Sequence, residues 1–229
     1  VNGQTGTGYT SSGAITATGQ AITINTTTTT GAGINDTGAI TGGVVTITGT
    51  QTTATATATV VTTTGLITAN ALTINATGGA ASTIVSLGAV TINAGGSNLT
   101  VTANNVAAGG STGITQTGAI TDNAVGSNIS FISNNDIDQN GPISLVANTS
   151  GAVANITYDT TAGDKTSKVA AAAVTIAAGT STSAINYLVK TNGATISVPA
   201  ITVPGYILLD NSCLGCATRA TSTTAAANL

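Results

Sequence analysis

One eight-residue pattern restricts what this chain can fold into more than any other feature. It reads apolar, three variable residues, Gly, one variable residue, apolar, Thr or Ser. Copies stand at Tyr9 to Thr16, Ile34 to Thr41, Val61 to Thr68, Ile84 to Thr91, Ile114 to Thr121 and Ile137 to Ser144. Their glycines are Gly13, Gly38, Gly65, Gly88, Gly118 and Gly141, so the steps are 25, 27, 23, 30 and 23 residues. A period in this range is the mark of a solenoid. A unit this short cannot bury its own apolar face, so successive copies must stack and share one continuous core.

Strand chemistry selects the kind of solenoid. After each Gly comes a unit in which apolar and hydroxyl residues alternate, as in Ile22-Thr23-Ile24-Asn25, Val45-Thr46-Ile47-Thr48 and Leu72-Thr73-Ile74-Asn75. Leu99-Thr100-Val101-Thr102 and Ile129-Ser130-Phe131-Ile132 continue the series. Period two is a half-buried strand and excludes a helix. The Gly ends a short polar run, where a residue free to take positive φ turns a corner. Each coil therefore reads as turn, strand, loop, strand. The chain is expected to be all-β, a parallel β-helix of roughly nine coils with an irregular C-terminal segment. At ~4.8 Å per coil it would be ~40 Å long.

Composition supports this reading and removes several functions. The 229 residues carry four Lys plus Arg and seven acids, all Asp, with no Glu, His, Met or Trp. A net charge of −3 spread this thinly gives no electrostatic footprint for nucleic acid. Nor does it give a basic face for a membrane surface. Mean hydropathy is +0.38, yet the longest uninterrupted apolar run, Val169 to Val174, is far short of the ~18 residues of a membrane span. Low charge, abundant Thr and Ser and only two Cys suit an exported protein, secreted or held at the cell surface. With no charged and apolar leader at its start, Val1 reads as the beginning of a mature chain.

In chain order, residues 1–8 read as a Gly-rich N-terminal arm, residues 9–148 as regular coils, and residues 149–229 as degenerate coils with a C-terminal cap or contact segment. Two low-complexity runs look like insertions, Thr26 to Thr30 and Thr52 to Thr64. In the second, the alternation Thr53 to Thr59 reads as a strand with Thr outward and Ala inward. Asn25, Asn75 and Asn93 each follow a strand Ile, and equivalent Asn side chains can bond one another as a ladder along a stack. Asn-x-Thr/Ser triplets begin at Asn25, Asn35, Asn75, Asn98, Asn128, Asn148 and Asn155, a number that chance supplies at this composition. The segment Asp164 to Ala173 fits a short helix capped by Asp164 or one more coil with Ala inside. Ile196 to Asp210 is the densest apolar stretch, broken by Pro199 and Pro204, and reads as a terminal cap or contact surface.

Gly38-Ala39-Ile40-Thr41, Gly88-Ala89-Val90-Thr91-Ile92-Asn93-Ala94-Gly95-Gly96 and Ile137-Asp138-Gln139-Asn140-Gly141-Pro142-Ile143 resemble the repeats of filamentous-haemagglutinin-like exoproteins. These are large β-helical adhesins of bacteria exported by a two-partner route. The resemblance covers about residues 9–148. It implies a β-helical fold and an extracellular, adhesive role.

Three places carry candidate chemistry. Asp136-Ile137-Asp138-Gln139-Asn140-Gly141 matches the first half of a calcium loop, with Asp136, Asp138 and Asn140 as ligands, but the Glu of the twelfth position is replaced by Ala147. The same segment aligns with the repeat, with Asp138 where Thr115 stands and Gln139 where Gln116 stands, and then reads as an ordinary coil corner. No other cofactor is expected. Cys213-Leu214-Gly215-Cys216 lacks the further ligands of a zinc site and the βαβ setting of a redox pair. It reads as a local disulfide or as an intermolecular bridge. Polysaccharide-cleaving β-helices use paired carboxylates, or Asp with Lys or Arg, on neighbouring coils. Here Asp136 and Asp138 are the only close pair, and Lys165, Lys168, Lys190 and Arg219 lie far along the chain, so no enzyme is expected.

The functional expectation is a non-enzymatic extracellular structural subunit, a filament or matrix fibre with an adhesive role. The chain itself is the expected partner, in a head-to-tail homopolymer; surface glycans are a further candidate, nucleic acid is not, and no membrane span is expected. Val1 in the arm and Tyr206, Ile207, Leu208 and Leu209 at the other end are the candidate assembly residues. The alternatives are an ice-binding or glycan-binding module, or a fragment of a larger adhesin. Ice binding needs Thr-x-Thr in register coil after coil. Such pairs are regular only in 53–59, and repeat steps of 23 to 30 residues are expected to break register elsewhere.

Overall fold

The structure, a computed structural model, describes residues 6–79, 83–94, 98–106, 112–124, 126–145, 153–176, 185–201, 203, 205–212 and 223–224. Among them no helix occurs, and the strands pair in parallel. The fold is the expected β-solenoid, but each coil holds three strands rather than two.

Coil one contains β1 (Tyr9–Ser11), β2 (Ile15–Ala17) and β3 (Ile22–Thr28), and coil two β4 (Ile34–Asp36), β5 (Ile40–Gly42) and β6 (Val44–Gln51). Coil three contains β7 (Val61–Thr63), β8 (Ile67–Ala69) and β9 (Ala71–Gly78), and coil four β10 (Thr83–Leu87), β11 (Val90–Ile92) and β12 (Asn98–Asn105). Coil five contains β13 (Thr112–Gln116), β14 (Ile120–Asp122) and β15 (Asn128–Ser133). Coil six contains β16 (Asp136–Gln139), β17 (Ile143–Leu145) and β18 (Ala154–Thr160), and coil seven β19 (Val169–Ala171), β20 (Val174–Ile176) and β21 (Ile185–Thr191). An eighth coil has two strands, β22 (Ile196–Val198) and β23 (Ile207–Asp210), and β24 (Thr223–Thr224) pairs beyond β22. Seven three-strand coils and a partial eighth thus replace the roughly nine expected.

Equivalent strands form three sheets of nine, seven and eight strands. The template spans the first two sheets. Its first apolar position is a column in the nine-stranded sheet, Tyr9, Ile34, Val61, Val85, Ile114 and Ile137. Its second is a column in the seven-stranded sheet, Ile15, Ile40, Ile67, Val90, Ile120 and Ile143. In coil four the pairing selects Val85, not Ile84, and that corner is one residue shorter. The third sheet adds two inward columns, of which Val45, Ile47, Leu72 and Ile74 are fully buried. Phe131 stacks on Tyr158 at a centroid distance of 5.4 Å, and Tyr158 meets Tyr187 at 5.6 Å. Burial of each such side chain contributes on the order of 1.5–3 kcal/mol.

The corner glycines work differently from expectation. Positive φ occurs, among described glycines, at Gly19, Gly126 and Gly193, none of them in the template. At Gly38, Gly65 and Gly141 a Cβ would instead overlap the carbonyl of the corner glycine one coil earlier, and at Gly118 the backbone of Gly88 and Ala89. Close coil-to-coil approach excludes a side chain there. At three corners the residue two before the Gly closes the turn from inside. Asp36 Oδ1 accepts from Gly38 N at 3.1 Å, while the Gln116 and Gln139 amides donate to the Gly118 and Gly141 carbonyls.

The low-complexity runs also fold otherwise than expected. Thr26 to Thr28 belong to β3, with Thr26 and Thr28 facing inward. Residues 52–60 form a loop and not a Thr-Ala strand. Buried Gln51 holds it, donating to Ala58 O at 2.8 Å and to Gly31 O at 3.0 Å, and Ala56 is tucked beneath. For residues 164–173 the structure selects the coil. Asp164 Oδ1 accepts from Thr166 N and Oγ1 in a tight turn, and Val169–Ala171 follow as a strand.

Candidate functional site

The widest ordered surface lies on the eight-stranded sheet, because its strands are long enough to point more than one residue outward. Three outward files run across coils one to four. The first is Thr23, Thr46, Thr73 and Thr100; the second Asn25, Thr48, Asn75 and Thr102; the third Thr27, Thr50, Thr77 and Asn104. All twelve are half-buried or exposed. The expectation that uneven repeat steps break the register is overturned. The first corner, which carries the Gly in coils one to six, keeps two or three residues in each of the seven three-strand coils, while the two other corners take up the variation with one to eight and two to nine residues. The other sheets carry one outward file each, such as Thr16, Thr41, Thr68, Thr91, Thr121, Ser144 and Thr175. That file is the Thr or Ser ending the template.

Beside the grid runs an asparagine ladder, on residues other than those expected. Asn25 is opposite Thr48, which separates it from Asn75, so those two do not meet. Instead Asn128 Nδ2 donates to Asn98 Oδ1 (3.1 Å), Asn155 to Asn128 (2.8 Å) and Asn186 to Asn155 (2.9 Å). Tyr206 N donates to Asn186 Oδ1 at 3.3 Å and ends the series. Asn93 does take part in a pair, accepting from Asn123 at 3.1 Å. Asn98, Asn128 and Asn155 all open Asn-x-Thr/Ser triplets, and their amides are occupied by the ladder.

The calcium candidates lie on and just after a strand. Asp138 is opposite Thr115 and Gln139 opposite Gln116, as the repeat alignment requires. Asp136 is buried; its Oδ1 accepts from Lys168 N at 2.9 Å and its Oδ2 lies 3.6 Å from Lys168 Nζ. Burial raises its pKa, and Lys168 partly offsets this. Asp138 Oδ2 accepts from Thr112 Oγ1 at 3.4 Å, and Asn140 is exposed. Among the described residues no three His, Cys, Asp or Glu side chains gather. Asp36 and Asp122 are also buried, which raises both pKa values against the N–H groups of Gly38 and Ala124.

Of the assembly candidates, Tyr206 is 53% exposed and Leu208 37%, while Ile207 and Leu209 pack half-buried against the core. β23 is the last strand of its sheet. Val1, Cys213 and Cys216 lie outside the described residues. At the other end Tyr9 and Ile15 are part-covered, whereas their stacked equivalents Ile34 and Ile40 are fully buried. No described helix is long and apolar enough to cross a membrane. The comparisons with protein-family models, curated proteins and solved structures return no match.

Proposed function

We propose that this chain is a structural, adhesive β-solenoid subunit of an extracellular fibre that lengthens by stacking coil on coil. The observation that supports the reading is the pair of end surfaces. Ile22 and Ile24 keep 8% and 9% exposure where Val45 and Ile47 keep none, and exposed Tyr206, just before β23, and Leu208 within it flank an edge that pairs with no described strand. An unpaired edge in a parallel stack is a template for a further strand. A head-to-tail contact of this kind does not close on itself and gives an open fibre. Seven acids and four bases offer little repulsion against it. The resemblance of the repeats to filamentous-haemagglutinin-like exoproteins agrees with an exported, adhesive shaft.

The test is sedimentation velocity and negative-stain microscopy of the full chain across a concentration series. Growing linear particles are expected, and Leu208→Lys with Tyr206→Lys is expected to shorten them. A stable monomer at high concentration would overturn the proposal.

A further inference from the structure

We infer that the grid of outward Thr and Asn on coils one to four of the eight-stranded sheet is an ice-binding face. The inference rests on the fold and the register, not on self-association. Along each strand the grid repeats every second residue, about 6.6 Å, and from coil to coil about 4.8 Å. These two repeats lie close to the two lattice repeats on a prism face of hexagonal ice. Thr places a hydroxyl and a methyl on one stiff, β-branched carbon, so χ1 is restricted before contact. Little side-chain entropy then remains to be lost on docking. The hydroxyls and amides can bond lattice oxygens, and the methyls between them displace liquid water.

The surface chemistry selects ice over other periodic partners. No charged side chain stands within the twelve positions, so no ion holds its own hydration shell against the lattice. No aromatic ring stands there either, so the face offers no platform for stacking a sugar ring. The grid also has a boundary. In coil five the second file passes to Ile132, 37% exposed, and in coils six and seven to Asp159 and Lys190. The single files of the other two sheets repeat in one direction only and cannot match a lattice plane.

The experiment is thermal hysteresis and partition into a growing ice hemisphere, with the full chain, three variants, and circular dichroism to establish folding. The expected result is measurable hysteresis, faceted crystals and enrichment in ice. Thr48→Tyr and Asn75→Tyr, in the middle of the grid, are expected to cut hysteresis at least about two-fold. Thr68→Tyr, on the seven-stranded sheet, is expected to leave it unchanged. Thr48→Lys takes the place of Thr48→Tyr if the latter melts below the parent. No hysteresis from folded protein would overturn the inference, as would an equal loss in Thr68→Tyr. Retention on crystalline cellulose or chitin without hysteresis would reassign the face to a polysaccharide and overturn it too. A monomer that shapes ice would end the fibre proposal and leave this one standing. Fibres without hysteresis would do the reverse.

Discussion

The Tyr158 hydroxyl donates a 2.8 Å hydrogen bond to Gln139 Oε1, across the core between two sheets of coil six. Gln139 Oε1 also accepts from Ala172 N at 2.9 Å, while its amide nitrogen holds the Gly141 carbonyl. One side chain thus ties a corner, an aromatic stack and the next coil. Replacing Gln139 by Leu strands the Tyr158 hydroxyl and two backbone groups, and is expected to cost about 1–3 kcal/mol per orphaned buried group. Tyr158→Phe removes one bond and keeps the ring, so about 1 kcal/mol is expected. Denaturant unfolding of both single variants and the double variant checks this. Additive losses would contradict the coupling.

The asparagine ladder predicts a position-dependent loss. Asn128 and Asn155 each make two rungs, and Asn98 takes part in one. Asn155→Ala is expected to cost about twice as much as Asn98→Ala, with roughly 1 kcal/mol per rung. For a chain of this length each kcal/mol lowers Tm by about 2–4 °C. Thermal melts followed by circular dichroism read the difference.

Corner glycines divide into two groups by what lies beneath them. A Cβ at Gly65 overlaps the Gly38 backbone, and at Gly118 the Gly88 and Ala89 backbone, whereas at Gly13 it meets nothing within 4 Å. Gly65→Ala and Gly118→Ala are expected to destabilise by about 1–3 kcal/mol or more. Gly13→Ala is expected to be neutral or slightly stabilising, through reduced unfolded-chain entropy. Urea midpoints decide it.

Stability is expected to fall as pH rises through the acid range. Asp36, Asp122 and Asp136 all have pKa values raised by burial above 3.8, so the folded state holds protons that the unfolded state has released. Wherever the folded state binds more protons, unfolding free energy declines with pH. The decline begins near the unfolded value and ends above the raised folded values. Tm at pH 3.5 should exceed Tm at pH 7, and Asp36→Asn with Asp122→Asn should flatten the difference. A rise in Tm from pH 3.5 to 7 in the parent would contradict the assignment.

The periodicity of apolar residues about each Gly, and the alternation after it, determined by themselves that this chain stacks as a parallel β-solenoid. A 26-residue unit has no other way to cover its apolar face. They also located the inward columns, since Ile40, Ile67, Ile120 and Ile143 sit one above another. The third strand of each coil was hidden because β4 and β5, three residues each, are too short to alternate visibly. The inward polar residue two before five of the six glycines does not stand out in the template, although Ser11, Asp36, Thr63, Gln116 and Gln139 all hold that place and, among coils one to six, only coil four puts an apolar residue, Leu87, in the column. The signal was polarity where an inward residue should be apolar.

Register was decided only by the tertiary structure. Spacing along the chain counts loop and strand residues alike, whereas pairing is set by backbone hydrogen bonds between coils. Loops of unequal length can leave those bonds unchanged. The unequal steps therefore said nothing against the outward files, and the Thr and Asn grid became visible only once Thr48 lay between Asn25 and Asn75. The same holds for the ladder from Asn98 to Asn186. Its members are 27 to 31 residues apart and meet because each stands at the first or second position of its strand, in register with the next. A one-dimensional pattern fixes which side chains face inward, and the stacking of coils fixes which outward side chains become neighbours.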